Sequence, residues 1–276
     1  RLVVHGRDGP TSKADCLNRM YGALAQDERR EGVEARMVVL HDAEDMVDPA
    51  ALRLLDHALW DAHFVQLPVL ALPQPQSRWI ASHYSDEFAE AHGKALVVRD
   101  ALGAGIPGAG VGCAVARGSL DRLAHQHGGK PFAEDSLTED YELGLKIAQA
   151  GGKGRFLRVR TAEGRLVATR AFFPALLDQA VRQKTRWMHG IALQGWDRLG
   201  WGRQPVDLWM QLRDRRGPLA AILLVIAYVL VCMIAVRLVL EQIGIAQAPP
   251  ASPLLQALLW LNLTGLMLRF MVRFCC

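Results

Sequence analysis

The sequence is poor in the residues that build disulfide frameworks and thiolate metal sites. Only five cysteines occur among 276 residues, and no CxxC pair is present. Small secreted scaffolds and zinc ribbons need more cysteines at regular spacing. We therefore expect the polar part of the chain to reside in a reducing cytoplasm, without a structural disulfide.

Three further signatures are missing. The nine histidines include no HExxH pattern, and the glycine-rich segment 108–112 does not match the GxGxxG of dinucleotide-binding folds. That segment is either mobile or tightly turned. The net charge of +4 comes without a basic face, so no nucleic-acid partner is expected. These absences exclude HExxH zinc peptidases, Rossmann-type oxidoreductases and nucleic-acid-binding proteins.

Before residue 216 the chain alternates strand-like and helix-like segments. Apolar runs of strand length lie at 2–5, 36–40, 64–72, 156–159 and 166–169. Helical patterns lie at 13–25, 49–62, 82–96 and 137–150. This alternation predicts an α/β fold with helices on both faces of a sheet.

The last third of the chain is different in character. Segment 175–199 mixes arginines, apolar side chains and tryptophans, which is typical of a helix in a membrane interface, although a core-packed helix could share this pattern. Residues 219–240 form a nearly uncharged run of bilayer-spanning length, and 254–271 form a weaker one. Arginines precede the first run and end the second. The positive-inside rule therefore predicts a membrane hairpin with the α/β part in the cytoplasm.

An acidic cluster follows the apolar run 36–40. Asp42 and Glu44 are placed where open α/β sheets bind ligands, and carboxylate oxygens suit Mg²⁺ or Mn²⁺. Such an ion would bridge the phosphates of a nucleotide diphosphate. The alternative is a solvated acidic turn, in which Asp48 caps the next helix.

Two more motifs carry polar groups on helices. In Thr138-Glu139-Asp140, a carboxylate at a helix start could accept a proton as general base, although a helix start capped by Thr138 with acids in its first turn explains this motif better when it is taken alone. Gln183, Arg186 and Trp187 lie at positions i, i+3 and i+4, so they share one helix face. That face could bind phosphate and a sugar ring, or it could be the face of an interfacial helix.

The order of these features is more specific than any one of them. An acidic pair, the triplet at 138–140, a QxxRW motif and then apolar helices resemble the family 2 glycosyltransferases. The similarity is greatest to the processive, cellulose-synthase-like branch with QxxRW and to its bacterial inner-membrane members. It covers nearly the whole chain.

The resemblance implies a partial GT-A fold, with the first strand and its nucleotide-binding Asp upstream of Arg1, and a chain cut at both ends. The expected parts are a partial GT-A domain at 1–172, amphipathic interface helices with QxxRW at 173–216, and two transmembrane helices, truncated, at 217–276. It also implies a UDP-sugar donor, a divalent metal and inversion at the anomeric carbon. The fragment alone is expected to be inactive.

The resemblance also assigns roles to residues. Asp140 would be the base, with Glu139 and Thr138 shaping the site. Asp42 and Glu44 would hold the metal, with Asp45 an alternative because many relatives have Asp where Glu44 stands. The remaining residues would bind substrate. Lys13 would lie near the donor, and the QxxRW residues Gln183, Arg186 and Trp187 would hold the acceptor or the donor diphosphate.

The expected product is a growing polysaccharide made at a bacterial inner membrane by a multi-pass enzyme. The implied partners are a nucleotide-sugar donor, a glycan acceptor, membrane lipid and an outer-membrane export partner. Two alternatives stay open: transfer of a single sugar to a polyprenyl-phosphate lipid, and a non-catalytic membrane scaffold or phage-receptor component.

Overall fold

The fold was obtained as a computed structural model that describes residues 3, 6, 8–202, 204–245 and 252–275. The chain divides into two compact units, Arg1–Pro218 and Leu219–Cys276. The helices are α1 Lys13–Glu31, α2 Ala51–Ala58, α3 Arg78–Glu90, α4 Leu96–Ala101, α5 Arg117–Gln126, α6 Glu139–Gln149, α7 Leu177–Met188, α8 Gly195–Leu199, α9 Pro205–Arg215, α10 Gly217–Gln242 and α11 Pro253–Cys275. The strands are β1 Met37–Leu40, β2 Phe64–Gln66, β3 Val69–Ala71, β4 Cys113–Ala116, β5 Gly154–Phe156 and β6 Thr169–Ala171. The strand expected at 2–5 falls outside the described residues, apart from residue 3.

A mixed four-stranded sheet in the order β1-β4-β2-β5 forms the centre of the first unit. Strand β4 is antiparallel to both β1 and β2, whereas β5 is parallel to β2. The sequence patterns did not predict β4, because its Cys-Ala-Val-Ala is short and lacks large apolar side chains. Yet it lies between β1 and β2, which both fall within runs that the sequence patterns did predict.

The two faces of this sheet are both covered, as the alternation predicted. Successive strand residues point to opposite faces. Phe64 and Val115 pack with side chains from α1, α5 and α6, whereas Val65 and Ala114 pack with α2. All four strand residues are completely buried. The larger core therefore lies between the sheet and the helices that carry the candidate site.

One expected strand is in fact two. The run at 64–72 divides at Pro68, which has no amide proton to donate to a sheet. Strand β2 precedes Pro68 and belongs to the large sheet, while β3 follows it and pairs in parallel with β6 in a separate two-stranded sheet. Val69 of β3 and Ala171 of β6 line the same pocket as the acidic and glycine-rich segments.

Several helix boundaries also differ from the patterns. Helix α1 continues beyond residue 25 to Glu31 and ends at Gly32, whose φ of 67° gives a left-handed cap. The helix expected at 82–96 begins at Arg78 and passes through a π-helical turn, Ala91–Ala95, into α4. The helix expected at 175–199 is likewise interrupted by a π-helical turn, His189–Gln194.

Helix α6 approaches the preceding glycine-rich segment very closely. A methyl group on Gly144 would overlap the Ile106 carbonyl oxygen, and one on Gly108 would lie 2.5 Å from the Asp140 carbonyl oxygen. Gly110 has a φ of 80° and lies directly against the Asp140 carboxylate. The segment is therefore tightly turned, and its glycines allow α6 to pack directly against it.

The second unit contains the apolar helices. Among the described residues, α10 is long and apolar enough to cross a membrane, and none of its side chains is buried. It agrees within two residues with the run expected at 219–240. The second expected span falls in α11, and its membrane crossing stays a prediction.

The close approach of α6 can be tested by adding one methyl group. Gly144→Ala should lower the free energy of unfolding by about 1–3 kcal/mol or more, because the overlapping atom belongs to the backbone. Gly118→Ala is the matched control, since Gly118 is an exposed helical glycine with open space around it. It should be neutral or stabilising by up to about 1 kcal/mol. Equal melting temperatures for the two variants would contradict the packing described.

Candidate active site

A single cleft brings together all the predicted site residues. It lies between the ends of β1 and β3, the glycine-rich segment, the start of α6 and the face of α7. The predicted site residues that line it are Lys13, Asp42, Glu44, Thr138, Glu139, Asp140, Gln183, Arg186 and Trp187. They come from segments far apart in the chain, so only the fold brings them together.

The acidic loop after β1 forms one wall of the cleft. Lys13, the first residue of α1, is 2.6 Å from the Asp42 carboxylate through its ammonium group. Burial lowers the pKa of Lys13, but the bond to Asp42 and the nearby acids outweigh that effect and raise the pKa above its usual value. Glu44 is exposed at the cleft. The carboxylate of Asp42 is therefore paired with a cationic side chain of the protein, Lys13.

Asp45 has a structural role in the same loop. Its side chain is only 2% exposed, and it accepts a bond of 2.8 Å from the backbone nitrogen of Asp42. The ring of His41 lies 3.4 Å from the same carboxylate. Asp45 therefore shapes the loop that presents Asp42, and its lone pairs are less available to a ligand than those of Glu44.

Asp48 does not cap α2 in the expected way. The cap position is Ala50, and Asp48 accepts a bond from the Ala50 backbone nitrogen while forming ion pairs with Arg165 and Arg170. It is 3% exposed, so this buried carboxylate links the acidic loop to β6 and to the segment before it. The solvated acidic turn considered as an alternative is therefore only partly correct.

Asp140 lies at the centre of the cleft in the first turn of α6. Burial raises its pKa to about 6, and the nearby Glu139 carboxylate adds to that effect. The Tyr141 backbone nitrogen and the charges of Lys13 and Arg186 act in the opposite direction. A carboxylate with this pKa is ionised at neutral pH and still basic enough to accept a proton.

Thr138 occupies the cap position of α6 but does not cap the helix with its side chain. Its hydroxyl is buried without a hydrogen-bond partner, and its side chain lies against Gly190 so closely that a methyl group there would overlap it. The capping explanation from the sequence is therefore wrong. Thr138 instead packs the start of α6 against the π-helical turn after α7.

Glu142 is a residue whose importance the sequence patterns did not show. It is 1% exposed and is held by Ser136, Arg198 and Lys146 at 2.6, 2.6 and 2.8 Å. Burial pushes its pKa upward, but these partners outweigh that effect and hold the pKa below the usual value. Arg198 belongs to α8, so Glu142 ties the first turn of α6 to the helix after the QxxRW motif.

The QxxRW side chains form another part of the cleft lining. Gln183 accepts a bond of 2.7 Å from the Tyr84 hydroxyl, and Trp187 lies edge-on to Tyr84, Phe88 and Phe173 with ring centres 6.2–6.4 Å apart. Arg186 is exposed, and its positive charge lowers the pKa of Asp140. The motif therefore provides an aromatic wall with a guanidinium at its rim.

Gln66 was also missed in the sequence. This fully buried amide ends β2, donates to the carbonyl oxygens of Leu67 and Val111 at 2.8 and 2.9 Å, and accepts from the Ala109 nitrogen at 2.8 Å. It thereby holds the glycine-rich segment beneath Asp140. A lone glutamine at the end of an otherwise apolar strand was the available signal.

The charges in the cleft are strongly unequal. The carboxylates are Asp42, Glu44, Asp45, Glu139 and Asp140, whereas the cationic groups are Lys13 and Arg186. Within the described part of the chain, no three His, Cys, Asp or Glu side chains form a group able to enclose a metal ion by themselves. A divalent ion at Asp42 and Glu44 would need further oxygen ligands from a bound molecule or water.

Comparison with known proteins gives consistent results. The family model described as glycosyl transferase family group 2 matches residues 37–240. The chain is 32% identical over 292 aligned residues to bacteriophage adsorption protein B of Escherichia coli K12 and to bacteriophage N4 adsorption protein B of Escherichia coli O157:H7. Each alignment covers 98% of this chain and 39% of the relative, so the chain spans well under half the length of those proteins.

The raised pKa of Asp140 predicts a pH-dependent effect on stability. An acid whose pKa is higher in the folded protein than its usual 3.8 destabilises the fold when it is ionised. Asp140→Asn should therefore stabilise the protein by on the order of 1–3 kcal/mol at pH 8. The gain should shrink as the pH falls through about 6 and vanish below about 4, as measured by melting temperature across that range.

Glu142→Gln, in the same helical turn, is a control for which a change of stability in the opposite direction is expected. Because the pKa of Glu142 is lowered, its ionised form stabilises the fold, and the variant should be less stable than the parent protein at pH 8. A stability difference for Asp140→Asn that does not change with pH would contradict the described environment of Asp140.

Proposed function

Since the chain belongs to glycosyl transferase family group 2, we propose that this glycosyltransferase moves a sugar from a UDP-sugar to a growing polysaccharide. The expectation of that family from the motif order is confirmed. The donor, the polymeric product and the location at a bacterial inner membrane are parts of the proposal. Because the chain covers 39% of its relatives, the proposal concerns the full-length protein that contains it.

The observation that carries the proposal is the position of Asp140. Its carboxylate lines the same cleft as the Lys13–Asp42 pair and the Arg186–Trp187 face, and the charges of Lys13 and Arg186 both lower its pKa. A base for a hydroxyl must lie between the donor's leaving group and the acceptor. The proposal therefore assigns the leaving group to the neighbourhood of Lys13 and the acceptor to that of Arg186 and Trp187, the two groups whose cations interact with Asp140.

The proposed reaction is a single displacement. The acceptor hydroxyl oxygen attacks the anomeric carbon, its proton passes to Asp140, and the bond from that carbon to the nucleotide diphosphate breaks with inversion. Lys13 faces the departing phosphates, where a preorganised positive charge stabilises the negative charge that develops. Thr138 keeps the start of α6, and hence Asp140, in place through its packing against Gly190, while the charge of Glu139 makes Asp140 more basic.

A divalent metal ion fits the acidic wall. The carboxylates of Asp42 and Glu44 both line the cleft, and carboxylate oxygens are the ligands that such an ion prefers, although one oxygen of Asp42 is paired with the Lys13 ammonium at 2.6 Å. The inward orientation of Asp45 favours Asp42 and Glu44 as the ligands. When bound, Mg²⁺ or Mn²⁺ would neutralise the charge of the diphosphate.

The aromatic wall supports a sugar acceptor. The rings of Trp187, Phe88 and Phe173 pack against each other at the cleft, and the apolar faces of sugar rings stack on such side chains. Gln183 is oriented by Tyr84, so it is held in place before any ligand binds. These side chains would align the acceptor hydroxyl with Asp140.

The excess of carboxylates favours a neutral acceptor over a polyprenyl phosphate. A lipid phosphate would have to approach the anomeric carbon among five carboxylates opposed by two cationic side chains, in addition to the donor's own phosphates. A polysaccharide hydroxyl brings no charge into the cleft. The intact set of acids also argues against a non-catalytic scaffold or phage-receptor component, although the names of the relatives refer to phage adsorption.

The proposal includes a specific organisation of the chain. A GT-A-type domain would occupy 1–172, interface helices 173–216 and transmembrane helices 217–276. The apolar helix α10 supports the last part, and α7 supports the second by exposing Leu177, Val181 and Met188 to solvent. These helices would contact membrane lipid, and the polymer would pass to an export partner.

The proposed base is tested by one substitution in the full-length protein. Asp140→Asn should abolish sugar transfer, since the amide cannot accept the proton, while binding of the nucleotide sugar survives. Radiolabel incorporation measures the first property and equilibrium dialysis of the UDP-sugar the second. Asp121→Asn is the control, because Asp121 is a partly exposed acid on α5 that is not part of the cleft lining. Turnover at the parental rate in the Asp140→Asn variant would overturn the assignment.

A further inference from the structure

The residue after Asp140 points away from the cleft and joins a buried polar cluster. Tyr141 is 6% exposed, and its hydroxyl donates to Asp214 Oδ2 at 2.7 Å. Arg99 of α4 donates to the same oxygen at 2.8 Å and to the Gly105 carbonyl at 2.6 Å. We propose that the Tyr141–Asp214–Arg99 cluster is a positioning element for Asp140, an inference that rests on the proposed role of Asp140 as base.

Arg99 and Tyr141 are buried, and both donate to the carboxylate of Asp214, whose side chain is 19% exposed. Arg99 is 4% exposed, so its charge needs the Asp214 carboxylate, and removing one partner of such a pair leaves an uncompensated buried charge. Burial raises the pKa of Tyr141 well above its usual value, and the Asp214 carboxylate adds to the effect. The hydroxyl therefore stays protonated and remains a donor.

Three successive side chains determine the rotation of the first turn of α6. Neighbouring positions on a helix point about 100° apart. Asp140 faces the cleft, Tyr141 binds Asp214 of α9, and Glu142 binds Arg198 of α8. Because Gly108 and Gly110 lie directly beneath Asp140, a small rotation of this turn would press the carboxylate into the backbone or open it to water. Tyr141 restrains that rotation.

The cluster also connects the site to the helix that leads into the apolar region. Asp214 lies near the end of α9 and precedes Gly217, the first residue of α10, by less than one helical turn. Arg99 joins α4 to the same point. A displacement of the end of α9 would therefore be transmitted to the turn that carries Asp140.

The structure provides a matched control for removing the Tyr141 hydroxyl. Tyr21 of α1 donates to Asp121 at 2.6 Å, and Asp121 also pairs with Arg117, so the same Tyr–Asp–Arg arrangement recurs between α1 and α5. Neither Tyr21 nor Asp121 belongs to the cleft. Tyr141→Phe and Tyr21→Phe therefore remove the same kind of bond, and only the first touches the turn that carries Asp140.

The first test is kinetic and uses the full-length protein in lipid nanodiscs with the UDP-sugar that it incorporates. Tyr141→Phe should lower kcat by about ten- to a hundredfold, because a misplaced base loses alignment, with the donor KM within about twofold. Tyr21→Phe should leave both unchanged. Parental kcat in Tyr141→Phe, or an equal loss in Tyr21→Phe, would overturn the proposal.

The second test does not depend on any transferase activity. The stability gained on Asp140→Asn at pH 8 should be smaller in a Tyr141→Phe background than in the parent, since a turn that opens to water relieves the desolvation of Asp140. The charged groups around Asp140 are Glu139 on α6, Lys13 on α1 and Arg186 on α7, and the Cys113 thiol on β4 is a further titratable group near it. The Tyr141→Phe substitution alters none of these groups. The gain should be unaltered in a Tyr21→Phe background.

The two tests separate this inference from the proposed function. An unaltered gain at pH 8 in the Tyr141→Phe background would overturn the positioning role, whatever the protein catalyses. A reduced gain in a protein that incorporates no UDP-sugar would refute the proposed donor and leave the positioning role supported.

Discussion

The first turn of α6 lies so close to the segment before β4 that no side chain fits between them. Gly108, Gly110 and Gly144 make this contact possible, because a methyl group on any of them would overlap the facing chain. Gln66 holds the segment from below through two hydrogen bonds, to the Val111 carbonyl at 2.9 Å and from the Ala109 nitrogen at 2.8 Å. The position and partial desolvation of Asp140 follow from this contact, and so does its raised pKa.

The arrangement of charge around that turn separates structural acids from those available for chemistry. Asp48 and Glu142 are buried and paired with arginines, and Asp45 accepts from its own loop. Asp42 and Asp140 instead face the cleft, where cationic partners only partly compensate them. Structural carboxylates have satisfied lone pairs, whereas the two proposed functional carboxylates retain capacity for a metal ion or a proton.

The candidate site was easier to predict than the fold that forms it. The acidic loop and the QxxRW face follow from local patterns, since a strand end and an i, i+3, i+4 spacing are properties of short segments. Strand β4 was missed because small residues become a central strand only through pairing with β1 and β2.

Contacts between distant segments were similarly beyond local patterns. The bonds of Gln66 to the glycine-rich segment and of Tyr141 to Asp214 join positions far apart in the chain. The residues next to them in sequence do not predict these bonds. For Thr138 the error is the opposite one, because the local pattern predicted a contact that the fold does not contain. Its sequence context is that of a helix cap, but packing against Gly190 turns its hydroxyl away from the helix amides.

The central claim is that this cleft extends a polysaccharide from a UDP-sugar. The most direct measurement incubates the purified full-length protein with Mg²⁺ and a panel of radiolabelled UDP-sugars, followed by gel separation of the products by length. The account predicts that one UDP-sugar yields long, water-soluble or gel-retained chains and that this signal is lost without the divalent ion. A single labelled sugar recovered in the lipid extract, or no incorporation from any donor, would contradict it.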